Sequence, residues 1–226
     1  SQTLDNLERL IRIPFGCGEQ NLMNMAPTAF AARYLSATGR LDSEWRDKSE
    51  RFIGLGYQKE QTYMHVRTDP YSYSAFGDSD GDGSTWLTAM VIKTYAHSLE
   101  FIYIDEAILA QSAEWLISHQ EDDGQFPERG RVIHSEMMGG GSGSSADAGT
   151  TLTAFVAIAL LEATNAVGEV SSGSPAGLAA AVAFLESARP QTLYTRILRA
   201  NALVSAESDG AGAAMAELMS ACAEGD

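Results

Sequence analysis

The sequence predicts an all-α protein built from repeated helical hairpins, and three observations lead there. Apolar residues recur at helical spacing along almost the whole chain, and no segment shows the apolar–polar alternation of a half-buried strand. One helix pattern also returns: Leu87-Thr88-Ala89-Met90-Val91 reappears as Leu152-Thr153-Ala154-Phe155-Val156. A repeated hairpin whose single unit cannot bury its apolar face must stack into a solenoid or close into a ring.

In chain order, Leu4, Leu7 and Ile11 make one short helical face, which Pro14 ends. A helix over Leu22 to Leu35 follows, stopped by Gly39, and another spans Trp45 to Tyr63. Next come Thr85 to His97, Glu106 to His119, Thr150 to Ala163, Leu178 to Ala188, Leu193 to Ala206 and Ala213 to Ala223. The second helices of the hairpins correspond too, with Ala113-Glu114-Trp115-Leu116 matching Val182-Ala183-Phe184-Leu185. Thr28-Ala29-Phe30 with Phe52-Ile53 reads as an earlier copy, and Leu193 to Ala206 with Ala213 to Ala223 as a later one. Polar, Gly-rich connections over Thr68 to Ser84, Glu121 to Ile133 and Gly139 to Gly149 are the segments where function is expected on such a scaffold.

A chain of 226 residues with 45% hydrophobic composition can bury a full core, and a single domain over residues 1–226 is the expectation. The longest apolar stretch, Thr153 to Leu161, is short for a membrane span, and Ser1 opens into helix-like sequence without a basic leader. That pattern fits an intracellular chain or a piece from the interior of a longer precursor. The net charge of -15 argues against nucleic acid, whose phosphates need clustered Lys and Arg. The acidity reads as a solvated surface or as a face for a basic partner. Cys17 and Cys222 lack zinc spacing and are too few for a disulfide scaffold.

The stretch Phe15-Gly16-Cys17-Gly18-Glu19-Gln20-Asn21-Leu22 sets a lone cysteine between two glycines, with a glutamine three residues on. Cys17 reads as a nucleophile, as a disulfide partner, or as a sulfur joined to Gln20. If a helix begins here, Cys17 and Gln20 face the same side of its first turn. A thiol and a carboxamide held together can lose ammonia to give an internal thioester, an activated acyl group, with the glycines easing the bend.

The run Gly16-Cys17-Gly18-Glu19-Gln20-Asn21 resembles the thioester signature of the complement, alpha-2-macroglobulin and insect thioester-protein superfamily. Four further stretches agree with that family's thioester domain in order: Tyr71 to Gly77, Gly83 to Ala89, Asp123 to Phe126 and Val132 to Gly140. The resemblance runs from Ser1 to about Ala206. It implies an alpha/alpha toroid of helical hairpins, with Cys17 and Gln20 joined as a thioester and no cofactor or metal. In members with histidine at the position of His134, the imidazole attacks the thioester and the freed Cys17 thiolate serves as base for a hydroxyl. Members without it favour amines. Glu136, two residues on, is a candidate to orient the His134 imidazole. The family's ring holds more hairpins than the roughly four legible here, so the toroid is expected to be incomplete at its C-terminal end.

The resemblance implies a secreted, extracellular covalent-attachment module of innate immunity, more complement-like than macroglobulin-like because of His134. Its partners would be carbohydrate or protein hydroxyls on target surfaces, the remaining domains of its parent protein, and immune receptors or proteases. The thioester of an isolated fragment, without the neighbouring domain that shields it, is expected to be absent or hydrolysed. Alternatives are a protease-trapping macroglobulin, a receptor-binding module, and a turnover enzyme with Cys17 as nucleophile and His134 as base. His65, His97 and His119 read as scaffold, and Trp45, Trp86 and Trp115 as core. Asp78, Asp80, Asp82 and Gly83 resemble the opening of an EF-hand loop, but Ala89 stands where the bidentate acid belongs; these acids are expected to be solvated or to cap the helix starting near Thr85. Cys222 is expected to be unpaired within the chain.

Overall fold

The computed structural model describes residues 10–141, 146–168 and 170–224. Leu4 and Leu7 of the first apolar face lie outside the described residues, as does part of the Gly139 to Gly149 connection. Among the described residues there are eight α-helices and no strand. They are α1 (Gly18–Ala37), α2 (Ser43–Glu60), α3 (Thr85–Ser98), α4 (Glu106–Ser118), α5 (Ala148–Val167), α6 (Ser174–Ser187), α7 (Leu193–Ser205) and α8 (Ala211–Glu224). The all-α expectation holds.

The helices form hairpins that stack in chain order. The odd-numbered helices meet in sequence, α1 with α3, α3 with α5 and α5 with α7, and each also packs on the even-numbered helix that follows it. Burial follows this division of labour. In α3 most positions are buried and in α5 half of them are, and small residues such as Ala89, Ala96, Ala154, Ala157 and Ala159 let neighbouring helices approach. In α2, by contrast, only Ser49, Ile53, Gly56 and Glu60 are buried, a single stripe at helical spacing.

The inner helices run in one direction. Arg33 near the end of α1 reaches His97 near the end of α3 at 2.9 Å, and His97 reaches Glu162 in the last third of α5 at 2.7 Å. Their N-termini therefore gather at the opposite end of the molecule, together with the long connections. Three helix N-termini and the irregular segments share one surface, and the signature cysteine lies there.

Several boundaries differ from the sequence expectation, and side-chain caps explain them. Helix α1 begins at Gly18, four residues before the first strong apolar position, because Cys17 is its N-cap. Asp42 accepts the Trp45 N–H at 2.9 Å and starts α2 earlier than Trp45. The regular turns of α2 stop at Glu60 and tighten into a 3-10 turn over Gln61–Tyr63. The acids after Asp78 do not cap α3. Ser84 accepts the Leu87 N–H at 3.1 Å, and the half-buried Glu128 carboxylate takes the N–H groups of Thr85 and Trp86 at 2.8 and 2.9 Å. Asp78 and Asp80 instead close loops, accepting from Val66 and Arg67 and from Phe76.

Two more expectations need correction. Trp86 and Trp115 are core, but Trp45 is only half-buried, with the Lys48 ammonium over its ring at 4.4 Å. Helix α5, twenty residues, is long and apolar enough to cross a membrane by length and composition, which the shorter count from Thr153 to Leu161 missed. Half of its residues are buried against the other helices, as expected of a central core helix.

Candidate thioester site

Cys17 sits in extended backbone at the mouth of α1, with ψ near 179°. Gly16 before it has φ +86, a conformation that L side chains rarely adopt, and a Cβ there would lie 2.1 Å from Gln20 Oε1. Gly18 after it faces a different constraint, since its Cβ would come within 2.8 Å of the Ser74 carbonyl oxygen. The connection after α2 fastens both glycines: the Tyr63 hydroxyl donates to Gly16 O at 2.7 Å, and Gly18 N–H donates to Ala75 O at 2.9 Å. The two glycines thus serve different ends, one for the carboxamide and one for the loop that covers the turn.

Gln20 folds back over this turn. Its Oε1 accepts the Cys17 N–H at 3.3 Å, and with the cysteine side chain facing the Gln20 N–H this completes a capping box at the N-terminus of α1. The cysteine and the carboxamide occupy the same helical turn. Cys17 forms no disulfide with a described residue and is partly exposed. Ile13, Phe15 and Phe76, near it in the chain or in the covering loop, expose much of their apolar surface.

Between Cys17 and Gln20, Glu19 points inward and is 1% exposed. Its carboxylate is fully engaged with a segment more than a hundred residues away, accepting the N–H groups of Ile133 and His134 at 2.7 and 2.9 Å. The same carboxylate meets His134 Nδ1 at 2.6 Å. In the neutral imidazole such a contact places the proton on Nδ1, facing Glu19, and the lone pair on Nε2. The structure thereby brings Cys17, Gln20 and His134 to one end of the molecule, linked through Glu19. Glu136 is exposed in the 3-10 stretch Ser135–Gly141, and the carboxylate on the His134 ring is Glu19 instead. The sequence reading missed Glu19 because a contact across this separation leaves no local pattern. Its only signal was its place inside the six-residue signature.

A family profile described as "A-macroglobulin TED domain" matches residues 1–226. The chain belongs to that family. Ovostatin of Gallus gallus is 39% identical to it over 160 residues, which is 71% of this chain and 10% of Ovostatin. The TED domain thus spans about a tenth of the length of that relative.

Within the TED domain, a cavity of about 180 Å³ lies beside Glu19, bounded by Leu22, Met23, Trp86, Met137, Phe155 and Tyr194. It lies among α1, α3, α5, α7 and the Met137–Met138 stretch and is walled mostly by apolar and sulfur-bearing side chains. The remaining histidines of the TED domain are held structurally. His65 is fully buried and bonds Ser74 Oγ at 2.8 Å, His97 joins Arg33 to Glu162, and His119 Nδ1 contacts Trp115 O at 2.8 Å. Cys222 is exposed on α8 and free. Asp78 and Asp80, occupied with loop amides, leave no described group of metal-binding side chains around them.

Proposed function

We propose that this TED domain is a single-use acyl donor. Cys17 Sγ replaces the Gln20 amide nitrogen, releasing ammonia and forming an internal thioester. His134 Nε2 then attacks the Gln20 carbonyl carbon, giving an acyl-imidazole and the Cys17 thiolate. The thiolate takes the proton of an acceptor hydroxyl, whose oxygen forms an ester with Gln20 and returns the imidazole. The observation that carries this reading is the Glu19 contact at 2.6 Å, because it supports a His134 whose Nε2 is free to act as nucleophile on the turn where Cys17 and Gln20 meet. Carbohydrate or protein hydroxyls on a target surface are the proposed acceptors, in an extracellular setting, and the exposed apolar rim supports shielding by other parts of the parent protein.

The A-macroglobulin match and the identity to Ovostatin favour a second reading, a protease-trapping macroglobulin in which the same bond forms with an enclosed protease. A receptor-binding role after attachment is compatible with either reading and would survive Cys17→Ala, whereas attachment would not. Multiple turnovers on a simple ester would instead identify a hydrolase.

The test is intact mass with a free-thiol count in the protein that carries this chain, before and after methylamine. The expected result is a mass lighter by one ammonia, a blocked Cys17, and release of one thiol by the amine. A full-mass chain with Cys17 already free and no amine-dependent change would overturn the acyl-donor reading for that material.

A further inference from the structure

Asn21, the residue after Gln20, directs its amide away from the thioester turn and into the contact between α1 and α2. Its Nδ2 donates to Gly56 O at 2.9 Å and to Glu60 Oε2 at 2.7 Å, so both of its N–H groups are used. The helices touch closely here, since a Cβ on Gly56 would lie 2.9 Å from Met25 Cγ. Asn21 and Glu60 are both fully buried, and two of their atoms, Asn21 Oδ1 and Glu60 Oε1, have no hydrogen-bond partner among the described residues. Both are acceptors if Glu60 is ionised, which leaves two buried oxygens without a donor and a charge without a counter-ion. A single proton on Oε1 relieves all three deficits, because it turns that oxygen into the donor that Asn21 Oδ1 lacks.

We infer that Glu60 is a neutral carboxylic acid in the folded protein, forming with Asn21 a cyclic acid–amide pair that pins the first turn of α1 to α2. Glu60 is then a positioning residue for Cys17 and Gln20, a consequence that rests on the acyl-donor reading above. The pair itself does not.

The surroundings agree. Glu60 faces the phenols of Tyr63 on the turn after α2, Tyr73 on the connection beyond it and Tyr95 on α3, together with the Asn21 amide from α1. Burial raises all three phenols above their ordinary range, so they stay neutral, and Gln61 Nε2 ties the Tyr95 and Tyr73 hydroxyls together at 2.9 and 3.2 Å. Burial likewise raises the Glu60 carboxyl to about 8, with the Asn21 bond opposing only in part. The folded state therefore holds a proton that the unfolded chain, near 4.5, has released. That stabilisation is complete below the unfolded value and is lost as pH rises through about 8. Tyr63 sits one turn beyond Glu60 and holds Gly16 O, so the neutral pair and the hydrogen bond to the signature glycine occupy the same corner.

The experiment is a carboxyl-carbon NMR titration of the 226-residue chain, with Glu60→Gln to assign the signal and melting temperatures of both proteins between about pH 5 and 9. The expected result is one glutamate carboxyl, missing in the variant, with its midpoint at about 8. Relative to Glu60→Gln, whose amide can donate to Asn21 Oδ1 at every pH, the natural chain should lose melting temperature as pH rises. In the parent protein, Glu60→Gln should keep amine-dependent thiol release while flattening its pH profile, and Glu60→Ala should lose it. Glutamate carboxyls that all titrate in the ordinary range would overturn the proposal, as would parallel melting curves. If the variant does not fold, the titration of the natural chain still decides. A carboxyl titrating at about 8 without any thiol release would keep the acid–amide pair and sink the acyl-donor reading.

Discussion

At the residue scale the chemistry turns on His134 and the carboxylate at its Nδ1. Glu19 is buried, accepts two backbone N–H groups and meets the ring, so it fixes both the position of the segment and the tautomer of the imidazole. Glu19→Gln keeps an acceptor of the same shape but removes the charge that favours an Nδ1 proton. Transfer to glycerol is expected to fall on the order of 10²-fold while direct reaction with methylamine changes little; equal losses for both acceptors would show that Glu19 acts only through folding. His134→Asn is expected to move acceptor preference from hydroxyls toward amines in the same assay, and unchanged selectivity would remove His134 from the mechanism. Gly16→Ala belongs to the same scale. Its positive φ and the 2.1 Å approach to Gln20 Oε1 predict a loss of roughly 1–2 kcal/mol in chemical denaturation, with little or no thioester formed.

At the element scale the N-terminus of α3 holds the two sides of the site in register. Ser84 caps it locally, and Glu128 caps it from the segment that runs on to His134. Burial raises the Glu128 carboxyl, and the N–H groups of Trp86, Thr85 and Gly130 oppose that rise. Glu128→Ala leaves the Thr85 and Trp86 N–H groups without their partner and should cost about 1–3 kcal/mol. Amide exchange should accelerate at the first turn of α3, and unchanged protection there would contradict the cap. The helices themselves were legible because apolar spacing survives in α2 and in the repeated Leu-Thr-Ala pattern of α3 and α5. Their starts were less legible. Cys17 is an unusual cap, and Glu128 caps α3 from a distance of more than forty residues.

At the scale of the whole molecule α5 is the hub, packing on α3, α6 and α7. Leu160, fully buried within it, has no route to relax into solvent. Leu160→Ala is expected to cost roughly 2–5 kcal/mol, seen as a lower urea midpoint with an unchanged slope. A changed slope would mean that the hairpins unfold separately, as stacked repeats can. The parallel run of α1, α3 and α5 also explains why one surface gathers the chemistry: each hairpin returns the chain to the same end before the next inner helix begins.

The sequence by itself determined the helical class, the hairpin repeat, and the Cys17, Gln20 and His134 candidates, because each is written in local spacing or in a contiguous motif. Only the tertiary structure decided that Glu19, rather than Glu136, holds the imidazole and that Trp45 stays half in solvent. It also decided that Glu60 lies buried against Asn21 with no counter-ion among the described residues. Those outcomes depend on which side chains from distant segments meet and how much water is excluded where they do. Linear order encodes neither directly, since burial and partner choice arise only when the hairpins pack.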